Sequence, residues 1–392
     1  MDPVLIVGAG PVGLSLALSL VRQGVPVEIL DQRTGVAQDP RATTLQPPVL
    51  ECFDSWGVLQ AAQEAGLVVR GLQYWNWERK QRLVDLDYAR IDADTATPYR
   101  IHLSHQGICQ VLIDALEVEQ PGLVRWGHKA AAYVDQGTHV TITSETRDGH
   151  VSVLRGSYLV AADGVNSTVR QRLGIPFDDV GPTQSFTIAQ LDRSARKQLA
   201  TLGGEPLAPV CYLYLHQGWA MTMEMADHVR VLFHRSDAAA DDVGADGMRS
   251  HAHELLGADA DPSLLRGIAH YKVRPRLAAS LRQGRAFLAG DAAHSAYPVG
   301  GTSMNAGILD AHYLGLAIGC GDPEALDTYD ADRRSWVKRH LLEATSDTMG
   351  QMQARWPWTR AYRSWAMTGI ADTPQTERQH LLRVSLLGDR ID

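Results

Sequence analysis

Val4-Leu5-Ile6-Val7-Gly8-Ala9-Gly10-Pro11-Val12-Gly13 stands near the start of the chain. Four consecutive apolar residues read as a strand buried on both faces. Gly8, Gly10 and Gly13 then spell GxGxxG. The first glycine of such a set allows a tight turn, the second lets a pyrophosphate approach the backbone, and the third lets helix pack on strand. Val12 to Val21 carries Leu14, Leu16, Ala17, Leu18 and Leu20, the composition of a helix buried on most sides. Its first N–H groups would face the phosphates. Gly24 ends it, and Pro26-Val27-Glu28-Ile29-Leu30 reads as a second strand. Asp31 closes that strand, at the distance from the glycines where a carboxylate accepts from adenosine ribose hydroxyls. A dinucleotide is expected here. The pattern alone does not separate FAD from NAD.

The 392 residues suffice for one large or two ordinary cores. The formal net charge of −8, with no basic tract, gives no electrostatic reason for a nucleic-acid partner. Val4 to Val21 lacks a basic leader and contains the glycine turn, so it is read as strand and helix rather than as a signal peptide or membrane span. A cytoplasmic location is expected. Cys52, Cys109, Cys211 and Cys320 are widely spaced and form neither a metal-ligand pair nor a disulfide pattern. No metal site is expected.

Further along, Val49 to Ala65 reads as helix broken at Gly57, Val68 to Glu78 as strand with Leu83 to Tyr88 as its partner, and His105 to Glu119 as helix. Ala132-Tyr133-Val134, Val140 to Thr143 and Val151 to Leu154 read as an antiparallel set with a turn at Asp148-Gly149. Tyr158 to Ala161 reads as a buried strand. Phe186 to Gln190, Val210 to Leu215, Trp219 to Met225 and Val229 to Phe233 suggest a separate antiparallel sheet, with a turn at Gln217-Gly218. Asp237 to Asp246 reads as an acidic surface stretch. Ala286 to Ala289 returns to strand and Met304 to Gly319 to helix. The final segment reads as helical, docked by Trp336, Trp356, Trp358 and Trp365.

Two later segments join the first fingerprint: Ala162-Asp163-Gly164-Val165-Asn166-Ser167-Thr168-Val169-Arg170, and Gly284 to His294 with Gly290-Asp291 inside it. All three, in this order, resemble the FAD-dependent aromatic-ring hydroxylases, the single-component class A flavoprotein monooxygenases of the p-hydroxybenzoate hydroxylase type. The resemblance spans the chain to about residue 340. It implies an α/β fold: a Rossmann-like FAD-binding domain with an inserted, mostly antiparallel sheet substrate domain and a helical C-terminal segment. By that pattern 1–70, 98–175 and 270–340 would hold FAD, 71–97 and 176–269 the substrate, and 341–392 would be the helical segment.

The resemblance also assigns residues. Gly8, Gly10, Gly13 and Asp31 match contacts to FAD pyrophosphate and ribose. Arg41 matches an arginine near the flavin and the nicotinamide cofactor, and Gln106 a flavin-contacting glutamine. Asp163, Gly164 and Arg170 match the middle motif, which serves FAD and NAD(P)H. Asp291 matches the acid on the ribityl chain. His294, Pro298, Gly300, Gly301 and Asn305 match the loop beside the isoalloxazine ring, with Pro298 closest to the reacting carbon. Two residues depart from the pattern: Ser303 replaces a usual glycine, and Tyr297 stands where a small residue is common.

The implied activity is hydroxylation of an electron-rich phenol with NADH or NADPH and dioxygen, through a flavin C4a-hydroperoxide. The implied partners are a small aromatic substrate, O2 and NAD(P)H, with no nucleic acid; the assembly is expected to be a monomer or homodimer. For the ring, Tyr212, Tyr214 and His216 share one strand face, and Met221, Met223 and Met225 share a face of the next. Tyr214 resembles the tyrosine that polarises the phenol. Met223 and Met225 replace the family's carboxylate clamp, so an uncharged or bulky aromatic is expected. Trp75 borders the same cavity in this reading. The alternatives are a flavin-dependent halogenase, for which Tyr74-Trp75-Asn76-Trp77, Lys80 and Lys272 offer weak signals, another flavin oxidoreductase, or a protein that binds FAD and an aromatic ligand without catalysis.

Overall fold

The computed structural model describes residues 2–37, 39, 41–216, 218–235, 255, 262–353 and 357–390. Val4–Val7 is fully enclosed, and it lies inside a six-stranded sheet rather than at an edge. Its parallel neighbours are Val27–Asp31 and Tyr158–Ala161. Val124–Trp126 extends the sheet on one side and Ala286–Leu288 on the other, both parallel. The antiparallel Arg282–Gln283 ends it. A parallel sheet must be covered on both faces. The helix Pro11–Arg22, buried along Leu14, Leu16, Ala17, Leu18 and Leu20, packs between the sheet and the helix Ser303–Cys320. His105–Glu119 packs against it as well; Ser104 starts that helix by accepting from the Gly107 N–H at 3.0 Å.

The expected antiparallel set is present as His128–Asp135, Val140–Thr146 and Val151–Gly156. The broken helix is present as Pro47–Ser55 and Leu59–Ala65. The second large sheet has seven strands, in the order Leu265–Val273, Gln184–Asp192, His228–Arg235, Gly218–Glu224, Val210–Leu215, Gly71–Asn76 and Gln81–Asp87. All pairings are antiparallel except that of Val210–Leu215 with Gly71–Asn76. Leu265–Val273 was not anticipated from sequence, and it crosses the expected boundary at 269/270.

The two faces of this sheet have different cores. Trp75, Trp77, Cys211, Leu213 and Ala220 pack on one side. Tyr74, Tyr212, Tyr214, Trp219, Met221 and Met223 lie on the other. The end of the chain covers the tyrosine part of that second face. Leu381 and Leu382, from the helix Pro374–Val384, join its core, as do Met349 and Met352 from Ala344–Met352. Tyr74 Oη and His380 Nε2 are 2.9 Å apart, and Arg100 Nη2 donates to Val384 O at 2.9 Å.

Of the late tryptophans expected to dock the final segment, Trp336 packs against the core while Trp358 and Trp365 do not. Trp358 and Trp365 are 71% and 69% exposed. Trp336 is partly buried and donates from Nε1 to Asp389 at 2.9 Å. Leucines and methionines of the C-terminal segment supply the rest of the docking. Gln217, Asp237 to Asp246 and Trp356 lie outside the described residues. No helix among the described residues is long and apolar enough to cross a membrane.

Burial pushes the His102 and His380 imidazoles down to about 4. Neighbouring arginines add to this, and both rings are neutral in the fold near neutral pH. Their unfolded counterparts protonate near 6.5. Between these values the unfolded chain binds more protons, so stability falls as pH falls through that window. The urea midpoint should therefore drop between pH 6.5 and pH 4. A flat midpoint across the interval would show that both rings are protonated in the native state.

Candidate functional site

A cavity of about 830 Å³ runs along the junction of the two large sheets. One end is walled by Gly8, Gly10, Leu30, Asp31 and Arg33, the middle by Asp163, Gly164, Asp291 and Ser303, and the far end by Met221, Met223, Arg230, Leu232 and Tyr271.

The glycine turn explains the first end. A Cβ on Gly13 would sit 1.9 Å from Gly8 O, so only glycine lets the helix meet the turn. A Cβ on Gly10 would meet nothing within 4 Å, because Gly10 faces the cavity. No side chain caps the helix Pro11–Arg22, which leaves its N-terminal dipole directed at this end. Asp31 Oδ2 accepts from the Ala9 N–H at 2.8 Å, and Arg33 grips the same carboxylate through Nε and Nη2 at 2.9 and 2.6 Å. Burial opposes the charge of Asp31, yet these donors hold its pKa below the ordinary value.

In the middle, Asp163 Oδ2 accepts from the Thr168 N–H at 2.8 Å, at the start of the helix Thr168–Arg172, which Ser167 caps by accepting from the Arg170 N–H at 3.0 Å. Its Oδ1 is buried with no hydrogen-bond partner, and burial raises the carboxyl's pKa. Burial raises the Asp291 pKa too. Ser303, the departure from the family's glycine, donates from Oγ to Asp291 Oδ1 at 3.4 Å and lines the cavity itself. The other departure, Tyr297, is withdrawn from the cavity, and its hydroxyl donates to Pro182 O at 2.6 Å.

Pro298 and Gly301 line the cavity. Their turn is held from behind. Asn305 Nδ2 donates to Thr44 O at 2.8 Å and to Gly301 O at 2.7 Å, while its Oδ1 accepts from the Gln46 N–H at 2.8 Å. Gln46 Nε2 donates to Gly300 O at 2.8 Å. Asn305 and Gly300 thus act as positioning residues rather than wall. Gln46 was missed in the sequence, because its role depends on a loop more than 250 residues away.

Several expected site residues lie elsewhere. His294 is fully buried outside the cavity wall, with Nε2 2.6 Å from Asp310 Oδ2. Asp310 also accepts from Arg333 Nε at 2.8 Å and from the Gly290 N–H at 3.0 Å. Burial would raise its pKa, but His294 and Arg333 hold it below the ordinary value. Arg170 does not line the cavity; it donates to Ala292 O and Val165 O, both at 2.9 Å, and so ties the middle motif to the Asp291 turn. Gln106 is exposed, and its neighbour His105 is the one on the wall.

The substrate face divides similarly. Tyr212 stacks on Tyr74 at 4.8 Å, and Arg363 lies 3.9 Å from the Tyr214 ring centroid; both tyrosines are covered by the C-terminal helices and do not line the cavity. His216 lies beyond its strand, 65% exposed, against Glu78. Trp75 belongs to the opposite face of the sheet. Met225 falls after the end of Gly218–Glu224 and is buried off the wall. Met221 and Met223 do reach the cavity, and Met223 Sδ accepts from Thr44 Oγ1 at 3.9 Å. Arg41 lines the entrance paired with Asp39. Lys272 is on the wall, whereas Lys80 lies over the Trp77 ring at 3.7 Å.

The residues fit FAD. A bare Gly10 cradle, an uncapped helix start, and the unpartnered Asp163 Oδ1 lie along one cavity. Comparison with known proteins agrees. The family described as "FAD binding domain" matches residues 1–344. Para-nitrophenol 4-monooxygenase of Pseudomonas sp. (strain WBC-3) is 30% identical over 359 residues, covering 89% of this chain and 85% of that one. The 3-(3-hydroxy-phenyl)propionate/3-hydroxycinnamic acid hydroxylase of Mycobacterium sp. (strain JLS) is 31% identical over 351 residues, and the match spans 58% of its length. The crystal structure of p-nitrophenol 4-monooxygenase from Pseudomonas putida DLL-E4 superposes with a TM-score of 0.89 at 25% identity, covering 99% of this chain and 98% of that one.

Two contrasts follow from this geometry. Gly13→Ala should destabilise the protein by about 1–3 kcal/mol through overpacking, whereas Gly10→Ala should keep the melting temperature of the cofactor-free protein and lose cofactor. Thermal melts and flavin content read both, and equal losses of stability would show that Gly10 does not face a ligand. Asp291→Ala should weaken FAD retention by about tenfold or more, the worth of a hydrogen bond to a charged group. His294→Ala should instead lower stability by about 3–5 kcal/mol, because Asp310 loses a buried partner. Equal FAD loss at equal stability in the two variants would refute this division.

Proposed function

This chain belongs to the FAD binding domain family, within the class A flavoprotein monooxygenases, and on that footing we propose that it hydroxylates an electron-rich phenol using NADH or NADPH and dioxygen. One observation carries the proposal. The cavity that begins at the glycine turn continues without a break to an apolar wall of Met221, Met223, Leu232 and Val273. A dinucleotide lying from the turn towards Pro298 brings its far end to that wall, and a ring seated there has the cofactor beside it.

FAD, when bound, supplies the redox chemistry that links NAD(P)H to dioxygen. The chain supplies placement and a dry site. Gly8 and Gly10, with the first N–H groups of Pro11–Arg22, hold the pyrophosphate, Asp31 the adenosine ribose, and Asp291 with Ser303 the ribityl hydroxyls. Asp163 and Gly164 border the phosphates, with Arg170 bracing them. Pro298 and Gly301 flank the isoalloxazine ring. Arg41 at the entrance offers positive charge to the flavin and to NAD(P)H. The methionines, Leu232 and Val273 exclude water from the ring and keep oxygen transfer from being diverted to peroxide release. The strand Gly218–Glu224 brings Met221 and Met223 to the wall, and the buried cation beside them, Arg230, stands on the neighbouring strand; we propose that the ring is an uncharged or bulky aromatic packed on the methionines. Neither Tyr214 nor His294 touches the reacting atoms in this reading.

We also propose the matching division of labour: 1–70, 98–175 and 274–340 hold the cofactor, while 71–97 and 176–273 hold the ring. The C-terminal helices cover the sheet that bears it.

The test is direct. The purified protein should contain noncovalent FAD, oxidise NADH or NADPH slowly alone and faster with a matching phenol. Under isotopically labelled dioxygen, mass spectrometry should find one labelled oxygen in the product. Hydrogen peroxide as the sole product across a broad panel of saturating phenols would refute hydroxylation.

A further inference from the structure

Arg230 is a deeply buried cation on the cavity wall. It lies on His228–Arg235, opposite Met223 in the strand register, and is 3% exposed. Nη1 donates to Thr43 Oγ1 at 3.1 Å and Nη2 to Arg41 O at 2.7 Å. Both acceptors are neutral. Nε has no hydrogen-bond partner, and among the described residues no carboxylate lies within ion-pair distance of the guanidinium. Tyr271, also on the wall, has a buried hydroxyl with no partner. The charged and titratable groups that face Arg230 are Tyr271 from Leu265–Val273, Asp39 and Arg41 from the entrance loop, and His102 from Arg100–His102. Asp39 is already gripped by Arg41. His102 is held neutral by burial.

A buried cation without a counter-charge is costly, and an anion in the same cavity removes the cost. Burial lowers the Arg230 pKa to about 10, which still leaves it charged at neutral pH. The arginine belongs to the face that carries Met221, Met223 and Leu232, the wall assigned to the ring. The opposite, cofactor side has its own source of positive potential in the helix Ser303–Cys320, which starts without a side-chain cap.

We propose that Arg230, assisted by Tyr271, receives the reacting hydroxyl oxygen of the phenol as an oxyanion, so that a substrate neutral in solution binds as its phenolate. The O–H bond breaks on binding, its electron pair stays on oxygen, and the proton leaves to solvent. The ionised ring is the more electron-rich one, which is the form that accepts an electrophilic oxygen. The inference rests on the hydroxylase reading and names its specificity determinant. A phenol that can ionise is selected over the same ring etherified, even though the methionine wall fits both.

The test uses the FAD-loaded protein with 4-nitrophenol, whose phenolate is coloured, and 4-nitroanisole, which cannot ionise. Difference spectra against pH read the ionised fraction of bound nitrophenol. In the natural protein it should ionise about one pH unit lower than in free solution, roughly a tenfold larger acid constant. Arg230→Met should abolish that shift, and Arg230→Lys, which keeps charge without the planar fork, should retain part of it. If Arg230→Met does not fold with FAD, the Arg230→Lys shift decides alone, and an unreduced shift overturns the proposal. An equal shift in Arg230→Met also overturns it. If 4-methoxybenzoate binds the natural protein better than 4-nitroanisole and Arg230→Met loses that preference, the arginine is a carboxylate clamp and the proposal fails. If Arg230→Met moves only the FAD midpoint potential, the guanidinium serves the reduced cofactor and the proposal fails. A protein that holds FAD but binds no phenol at all refutes the hydroxylase reading itself.

Discussion

A carboxylate with no access to water, Asp310, fixes the geometry on which the site depends. Its charge is met by three donors from three places in the chain: His294, Arg333 and the Gly290 N–H. None of them is dispensable, because a buried charge that loses a partner keeps its full desolvation cost. The consequence is positional. Gly290 precedes Asp291, so the acid assigned to the ribityl chain inherits its place from a bond made behind it. The Pro298–Gly301 turn is held by the same logic, through Asn305 and Gln46. Behind the cavity wall the turns are held by a dense set of fixed hydrogen bonds. That arrangement suits a protein whose cofactor supplies the reactivity and whose own task is placement.

The seven-stranded sheet contributes in a different way. Its strands alternate between two cores, and the face towards the cofactor is shared by two occupants. Met221, Met223, Leu232 and Arg230 meet the cavity. Tyr212, Tyr214 and Tyr74 meet the C-terminal helices. The chain's last segment therefore determines how much of the sheet is available to a ligand. A tyrosine that stands in the right strand, and on the right face, is closed off by Arg363 and the methionines that arrive later in sequence.

The parts legible in the sequence were those whose meaning is local. The strand–turn–helix at Val4 to Arg22, the capped helix at Ser104, and the hairpin set from His128 to Gly156 are each specified by neighbours along the chain. The three motifs were legible for the same reason, since each is a backbone shape before it is a contact. The remainder was set by partners far away. Arg170 reads as a ligand residue from its motif, yet its guanidinium is spent on Ala292 and Val165. His294 reads as a site residue until Asp310, sixteen positions on, claims it. Arg230 carried no motif. Its significance comes from strand register, and a one-residue slip would have turned it out of the cavity. Leu265–Val273 escaped notice because Gly267 stands among its half-buried positions and Ile268 among its exposed ones, which blurs the alternation.

The central place of Val4–Val7 has a consequence for how the chain acquires its shape. One of the strand's two direct partners is Tyr158–Ala161, far along the chain, and the sheet is not complete until Ala286–Leu288 joins it. The second sheet behaves alike, because Gly71–Asn76 waits for Val210–Leu215. Pairings so distant in sequence make loop closure the slow step of folding. During synthesis at the ribosome, Ala286–Leu288 must emerge before the first sheet can close, and Leu265–Val273 before the second can. Until then Val4-Leu5-Ile6-Val7 is an apolar strand with open hydrogen-bonding edges, the kind of surface that chaperones shield and that aggregates recruit.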